Sequence, residues 1–351
     1  MAYSFDNFSS LANDPFADVN EQIKDIEPLV FDKGEDNTFI ACFRRYLAAC
    51  GDNFPYYLLM AVSGAAFRLQ IHYAGWRLVS LDAACGQNLL PFLYEQTGHT
   101  FEERWICASR ERHEAVKYEI LEHLKEKRPV IGLGLDGYAR YGLVTGIRPG
   151  GILIAQDYSL SFYPHPVSEE MVWCYFMGKK DRQKKPTAEK DLYIAGFRQA
   201  LKMARLERVH GYYLGQTAYA YWYATLVNPQ HHDPISQDWR AQERNEGNYQ
   251  LMKDLLHSRT QAALFCRETA LNYPETATFA EAAATCFDAM TEEIRPFLDR
   301  HIVRPAAHIN QARPWTLRER RQQAKALQRV SDIELKAIPL LEAALTILEG
   351  K

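Results

Sequence analysis

Asp36-Asn37-Thr38-Phe39-Ile40-Ala41-Cys42 opens the stretch on which the fold reading turns, an apolar run that closes at Cys50-Gly51. Phe39, Cys42, Phe43, Tyr46, Leu47 and Cys50 recur at helical spacing, Asn37 or Thr38 offers an N-cap, and Gly51 a terminator. Further along, Arg140-Tyr141-Gly142-Leu143-Val144-Thr145-Gly146-Ile147 and Ile152-Leu153-Ile154-Ala155-Gln156-Asp157 read as strands, joined as a hairpin by Arg148-Pro149-Gly150-Gly151. Strands are also expected at 129–135 and 171–177, and at 67–73, where Phe67, Leu69, Ile71 and Tyr73 alternate with Arg68, Gln70 and His72. An amphipathic helix is expected at 109–127. Residues 1–35 are acidic and loop-like, and are expected to wrap this first domain. Helices first and a strand meander afterwards make an α+β pattern.

At 179–190 six basic residues stand against two acidic ones, with Pro186 among them. The run is either an exposed linker or a patch for phosphate or an acidic partner. Beyond it the periodicity predicts helices over 188–206, 212–227, 240–272, 276–300 and 316–349, with Pro339 expected to kink or divide the last. No internal repeat is evident, so a helical bundle is favoured over a solenoid. Tyr212, Tyr213, Tyr219, Tyr221, Trp222 and Tyr223 crowd one helix and mark it as a buried element or a pocket wall.

With 351 residues, 47% apolar and 24% charged, the chain has the composition of a soluble globular protein of two domains, and its net charge of −3 argues against nucleic acid as a partner. Seven scattered cysteines without a CxxC pair fit reduced thiols better than a disulfide framework or a metal site, so a cytoplasmic location and no metal are expected. No stretch is long and apolar enough for a membrane span or a signal peptide. His231-His232-Asp233 lacks further ligands at helical spacing and is weak as a metal site.

Gly51-Asp52-Asn53-Phe54-Pro55-Tyr56-Tyr57-Leu58-Leu59-Met60, followed by Ser63-Gly64-Ala65-Ala66-Phe67-Arg68 and Gly75-Trp76, resembles the butirosin biosynthesis protein H N-terminal family, a papain-like group. Gly211-Tyr212-Tyr213-Leu214-Gly215-Gln216-Thr217-Ala218-Tyr219 resembles the helical region that often follows it. The helix at Thr38 and the strands at Arg140 and Ile152 are similar to the helix, His strand and Asp layout of bacteriocin-processing cysteine peptidases. The likeness covers most of 36–300. It implies a papain-like α+β domain over 1–180, an all-α helical domain over 185–351, and transfer of an acyl group from a carrier-protein thioester to a small-molecule amine. Where those peptidases hold Cys and His, this sequence holds Thr38 and Arg140, which excludes cysteine-peptidase chemistry at these positions.

Acyl transfer through a covalent intermediate needs an activated nucleophile, a base and oxyanion donors. Thr38 holds the helix start, as a weak nucleophile or as an N-cap. Cys42, one turn on, is the candidate nucleophile or a buried core thiol. Arg140 stays protonated and cannot be a base; it binds a carboxylate or phosphate, or pairs with Asp136 or Asp157. Asp157 fits the third catalytic position or a structural turn. With no His in the strand position, His72 is the candidate base. Ser63, Arg68 and Trp76, with Asp136 and Tyr138 at a cleft rim, are candidates for binding substrate; Arg68, Gln70 and His72 equally fit a solvated strand face. Asp82-Ala83-Ala84-Cys85-Gly86 lies close behind them in sequence. No cofactor is implied.

Two functions follow. One is a biosynthetic acyl- or amide-forming transferase of specialised metabolism with an acyl carrier protein or other thioester donor. The other is a catalytically inactive papain-like module that binds a small molecule or a protein. Either way, the helix at Thr38 is expected to pack on the strands of Gly132, Leu143 and Ile154, with Thr38 facing Arg140 across a cleft and Asp157 near Arg140.

Overall fold

Strands whose residues are apolar without alternation must be covered on both faces, and Val130-Ile131-Gly132-Leu133 and Leu143-Val144-Thr145-Gly146-Ile147 are strands of that kind. The computed structural model describes residues 16–73, 88–106, 110–138, 140–158, 164–167, 171–181, 183, 187–228, 239–300 and 316–351. The chain is a mixed α/β structure with an antiparallel sheet and C-terminal helices, and it divides into two compact units.

The first unit, Met1–Phe54 with His99–Asp181, is built on an antiparallel sheet. Its strands are β1 (Glu21–Gln22), β3 (Glu102–Trp105), β4 (Val130–Leu133), β5 (Tyr141–Arg148), β6 (Ile152–Gln156), β7 (His165–Pro166) and β8 (Cys174–Met177), and β2 belongs to the other unit. The order is β3-β8-β4-β5-β6-β7, with β1 also paired to β5. Helix α1 (Thr38–Ala49) packs against β4 and β5. Phe39, Tyr141 and Phe176 meet edge-on or tilted on that face at centroid distances of 5.1 to 6.0 Å. On the opposite face Val130, Val144, Leu153 and Tyr175 form a core with Val116, Ile120 and Leu124 of α4 (Arg110–Lys125). Each fully buried Phe, Leu or Ile contributes about 1.5–3 kcal/mol, so this double coverage is what fixes the sheet.

Asn37, not Thr38, caps α1: its side-chain oxygen accepts from Ile40 N at 3.1 Å. The helix ends at Gly51, whose φ of +84° suits glycine. Arg45 is buried in α1 and donates to Glu27 O, Pro28 O and Glu35 Oε2 at 2.7–2.8 Å, so the described part of the N-terminal segment is strapped onto this unit as expected.

The second unit is Pro55–Gly98 with Arg182–Lys351, so 55–98, which the sequence places in the first domain, clusters with the helices instead. The cause is long-range. Strand β2 (Gln70–His72) pairs with β10 (Tyr212–Leu214), Tyr212 opposite His72, and α2 (Tyr56–Val62) packs on α5 (Glu189–Arg205) and α7 (Trp239–Asn272). Helix α3 (Leu90–Gln96) lies in the same returning segment. Strand β9 (Arg208–Val209) joins β10 through His210-Gly211, both at positive φ, the geometry of a tight hairpin. Residues 212–214, read from sequence as the start of a helix, are therefore a strand, and α6 begins at Gly215 (Gly215–Val227).

Helices α8 (Ala277–Arg300) and α9 (Leu317–Leu348) complete the bundle. Pro339 lies inside α9 without dividing it; Leu335, whose carbonyl it leaves without a helical donor, is on the exposed side where water serves. A buried polar seam runs between α6, α7 and α9. Arg259 is fully buried and donates to both oxygens of Glu334 at 2.8 and 2.9 Å and to Ala66 O at 3.0 Å. Tyr219 donates to Glu334 Oε2 at 2.6 Å, and Trp222 Nε1 to Asn248 Oδ1 at 2.8 Å. The aromatic crowd of α6 is thus partly core, with Tyr219 and Trp222 fully buried and their polar ends satisfied.

Candidate functional site

The antiparallel register brings the ends of β3, β4 and β6 and the starts of β5, β7 and β8 to one end of the sheet. The N-terminus of α1 sits at this end, because the backbone N–H of Tyr141 donates to Thr38 Oγ1 at 3.3 Å. Thr38 therefore adjoins the strand residue that follows Arg140, with its hydroxyl already accepting a backbone bond.

Arg140 turns to its own loop. Its Nε donates to Asp136 Oδ2 at 2.5 Å, and its guanidinium carbon lies 5.0 Å from the Tyr138 ring centroid and 5.7 Å from that of Phe31. Of the two partners open in the sequence, Asp136 is the one taken. Asp136 Oδ1 also accepts from Tyr138 N at 3.1 Å, which shapes the turn through Gly134 and Gly137. The Arg140 charge is thus balanced by a carboxylate and flanked by two rings.

Asp157 lies beside β5, where a Cβ on Gly142 would come within 2.7 Å of Asp157 Cβ. Its Oδ2 is 2.8 Å from His165 Nε2, and His165 Nδ1 is 3.0 Å from Pro166 O. Sequence reasoning missed His165, which stands on a strand only two residues long with no periodicity to flag it. Both of its ring nitrogens face acceptors, so neither nitrogen is directed at a nucleophile.

Of the two readings open for Cys42, candidate nucleophile or buried core thiol, its place in the structure favours the second. Its thiol is completely buried among the α1 residues that pack on the sheet, and burial pushes it far above the ordinary thiol range, Asp157 adding to the rise and Arg45 opposing it. A thiol without solvent access and held protonated is no nucleophile.

His72, the expected base, belongs to the second unit, as do Ser63 and Arg68, whereas Thr38, Cys42, Asp136, Tyr138, Arg140 and Asp157 belong to the first. The His72 ring stacks on Tyr73 at 4.8 Å and meets Tyr212 edge-on at 5.0 Å. Gln70 and Ile71 are both buried, so this strand does not present the open polar face that alternation implied: pairing with β10 and packing on α6 cover it. Ser63 is also buried. Its hydroxyl donates to Met60 O and accepts from Ala65 N, closing the end of α2 rather than holding substrate. Trp76, the Asp82–Gly86 run and His231-His232-Asp233 lie outside the described residues.

The sheet end carries one feature that no motif announced. Tyr138, Met171 and Trp173 are 67, 44 and 43% exposed. They belong to one patch, since Gly134 approaches Met171 O and Trp173 Cδ1 and Gly137 approaches Met171 Cε. Exposed large apolar side chains in a group mark a contact surface. Here they lie next to the Arg140–Asp136 pair, at the end of the sheet that also carries Asp157 and His165.

Among the described residues no three His, Cys, Asp or Glu side chains gather to hold a metal ion, and no helix is long and apolar enough to cross a membrane. No protein-family model matches the chain, and no curated protein matches it in sequence.

Proposed function

We propose that the first unit is a papain-like module, of the kind implied by the resemblance to the butirosin biosynthesis protein H N-terminal family, that binds a small molecule without reacting with it covalently. The burial of Cys42 carries this reading, because it removes the one thiol placed near the helix mouth. Arg140, in the place of a base, is engaged with Asp136, and Thr38 is engaged with Tyr141 N. The ligand that suits the sheet end has an apolar portion lying over Tyr138, Met171 and Trp173 and a polar end meeting the Arg140–Asp136 pair. An acyl chain on a pantetheine arm has both parts, so the thioester donor of the transferase reading is retained as a candidate ligand. Transfer by positioning a bound amine against such a thioester is the form of catalysis these residues permit. The five cysteines among the described residues are free thiols, which suits a cytoplasmic setting where thiols stay reduced.

Tryptophan fluorescence during titration with acyl-pantetheines, and separately with free aliphatic acids, tests the proposal. Binding is expected to change the emission of Trp173, to weaken about tenfold or more when Tyr138 or Met171 is replaced by alanine, and to persist in Cys42→Ala. Equal affinity in the Tyr138→Ala and Met171→Ala variants would place the ligand elsewhere.

A further inference from the structure

The first turns of α9 are charged against the rules that stabilise helices. Over 316–329 five Lys or Arg accompany a single acid, in a chain whose net charge is −3. Arg318 and Arg321 lie at the N-terminal end, where the helix dipole disfavours cations. Arg318 with Arg321, and Arg321 with Lys325, are like-charge pairs at spacings that bring side chains together. Glu319 is used in the capping box, bonding Thr316 N and Thr316 Oγ1 at 2.8 and 2.7 Å. Two of the cations have structural work: Arg320 is buried and donates to Leu226 O at 3.0 Å, and Arg329 pairs with Glu293 at 2.7 Å. Arg318, Arg321 and Lys325 are exposed and have no ion-pair partner among the described residues. With Leu317 and Gln322 they line an open groove. A local conflict of this kind, unrepaid within the fold, marks a functional surface.

We propose that the Arg318–Arg321–Lys325 face of α9 docks an acidic helix of a partner protein. The three cations fall at i, i+3 and i+7, about 4.5 and 6 Å apart along the axis at 1.5 Å per residue. Carboxylates on a facing helix repeat at the same interval, so each cation meets one. Leu317 and the aliphatic stems of Arg318, Arg321 and Lys325 add apolar contact that a helix uses and a phosphate backbone does not. The surface belongs to the second unit, so it stands or falls independently of ligand binding at the sheet end.

The test is fluorescence anisotropy of the full chain with a labelled helical peptide bearing glutamates at i, i+3 and i+7. The same peptide broken by a central proline, and a duplex DNA oligonucleotide, are the comparators. The helical peptide is expected to bind most tightly, with an affinity that falls steeply with salt. The triple variant Arg318→Gln, Arg321→Gln, Lys325→Gln is expected to lose about tenfold or more of that affinity while its melting temperature holds or rises, since like-charge repulsion is relieved. Equal binding by the triple variant, equal binding of the proline-broken peptide, tighter binding of DNA, or no binding of the helical peptide would each overturn the proposal. A fall in the melting temperature of the triple variant would show that the three cations serve the fold and would overturn it as well.

Discussion

Replacing Arg259 by methionine isolates the energetics of the buried seam in the helical unit. Arg259 is fully buried, and its guanidinium makes the two bonds to Glu334 and one to Ala66 O. Methionine fills much of the same space but leaves the Glu334 carboxylate buried, with Tyr219 as its remaining neutral donor at 2.6 Å. Breaking a buried pair by removing one partner costs about 3–5 kcal/mol. For a body of 150–250 residues each kcal/mol shifts the midpoint by about 2–4 °C, so a fall of about 6–20 °C is expected. The double variant Arg259→Met with Glu334→Leu removes both charges and should regain most of the loss, because a well-packed apolar replacement of a buried ion pair is often neutral. The assay is a thermal melt of wild type, both single variants and the double, read by far-UV circular dichroism as a double-mutant cycle. Additive losses, with the double variant less stable than Arg259→Met, would refute the view that the unpaired charge dominates.

Two further outcomes concern the first unit. Gly142→Ala places a Cβ 2.7 Å from Asp157 Cβ and 3.0 Å from the backbone oxygen of Gln156, so a loss of about 1–3 kcal/mol is expected in a urea melt; a neutral result would mean that β5 and β6 are not in this register. His123 is held by burial, and secondarily by Arg128, at a pKa of about 4 against the usual 6.5. The unfolded chain therefore binds the extra proton first, and the stability present above pH 6.5 should be lost as pH falls through about 4. His123→Gln should flatten that dependence in melts at stepped pH, and an unchanged profile would discount it.

How much was legible in the sequence follows the range of the interactions. Helix α1 was readable because its apolar stripe, its cap and Gly51 are all local, and α5, α8 and α9 carry equally local periodicity. Strands β4, β5, β6 and β8 were readable as apolar runs, whereas β1, β3 and β7 are short or polar and were not. What failed depended on distant partners. The return of 55–98 to the helical unit is decided by the pairing of Gln70–His72 with Tyr212–Leu214, which no local pattern records. That pairing makes the expected base His72 part of the second unit, whereas Cys42 belongs to the first, and it covers the strand face that alternation left open. Cys42 itself shows why spacing misleads: the turn that carries it past the helix mouth also turns it into the core. The His165–Asp157 pair and the Tyr138–Met171–Trp173 patch assemble from short, separated segments, and nothing in any one segment marks them.

Intact-protein mass spectrometry after incubation with acyl-pantetheine thioesters tests the non-covalent account most directly. The account predicts an unchanged mass for wild type and for Cys42→Ala alike, because the Cys42 thiol is buried and held protonated. An acyl adduct on wild type that disappears in Cys42→Ala would contradict it and restore Cys42 as a nucleophile.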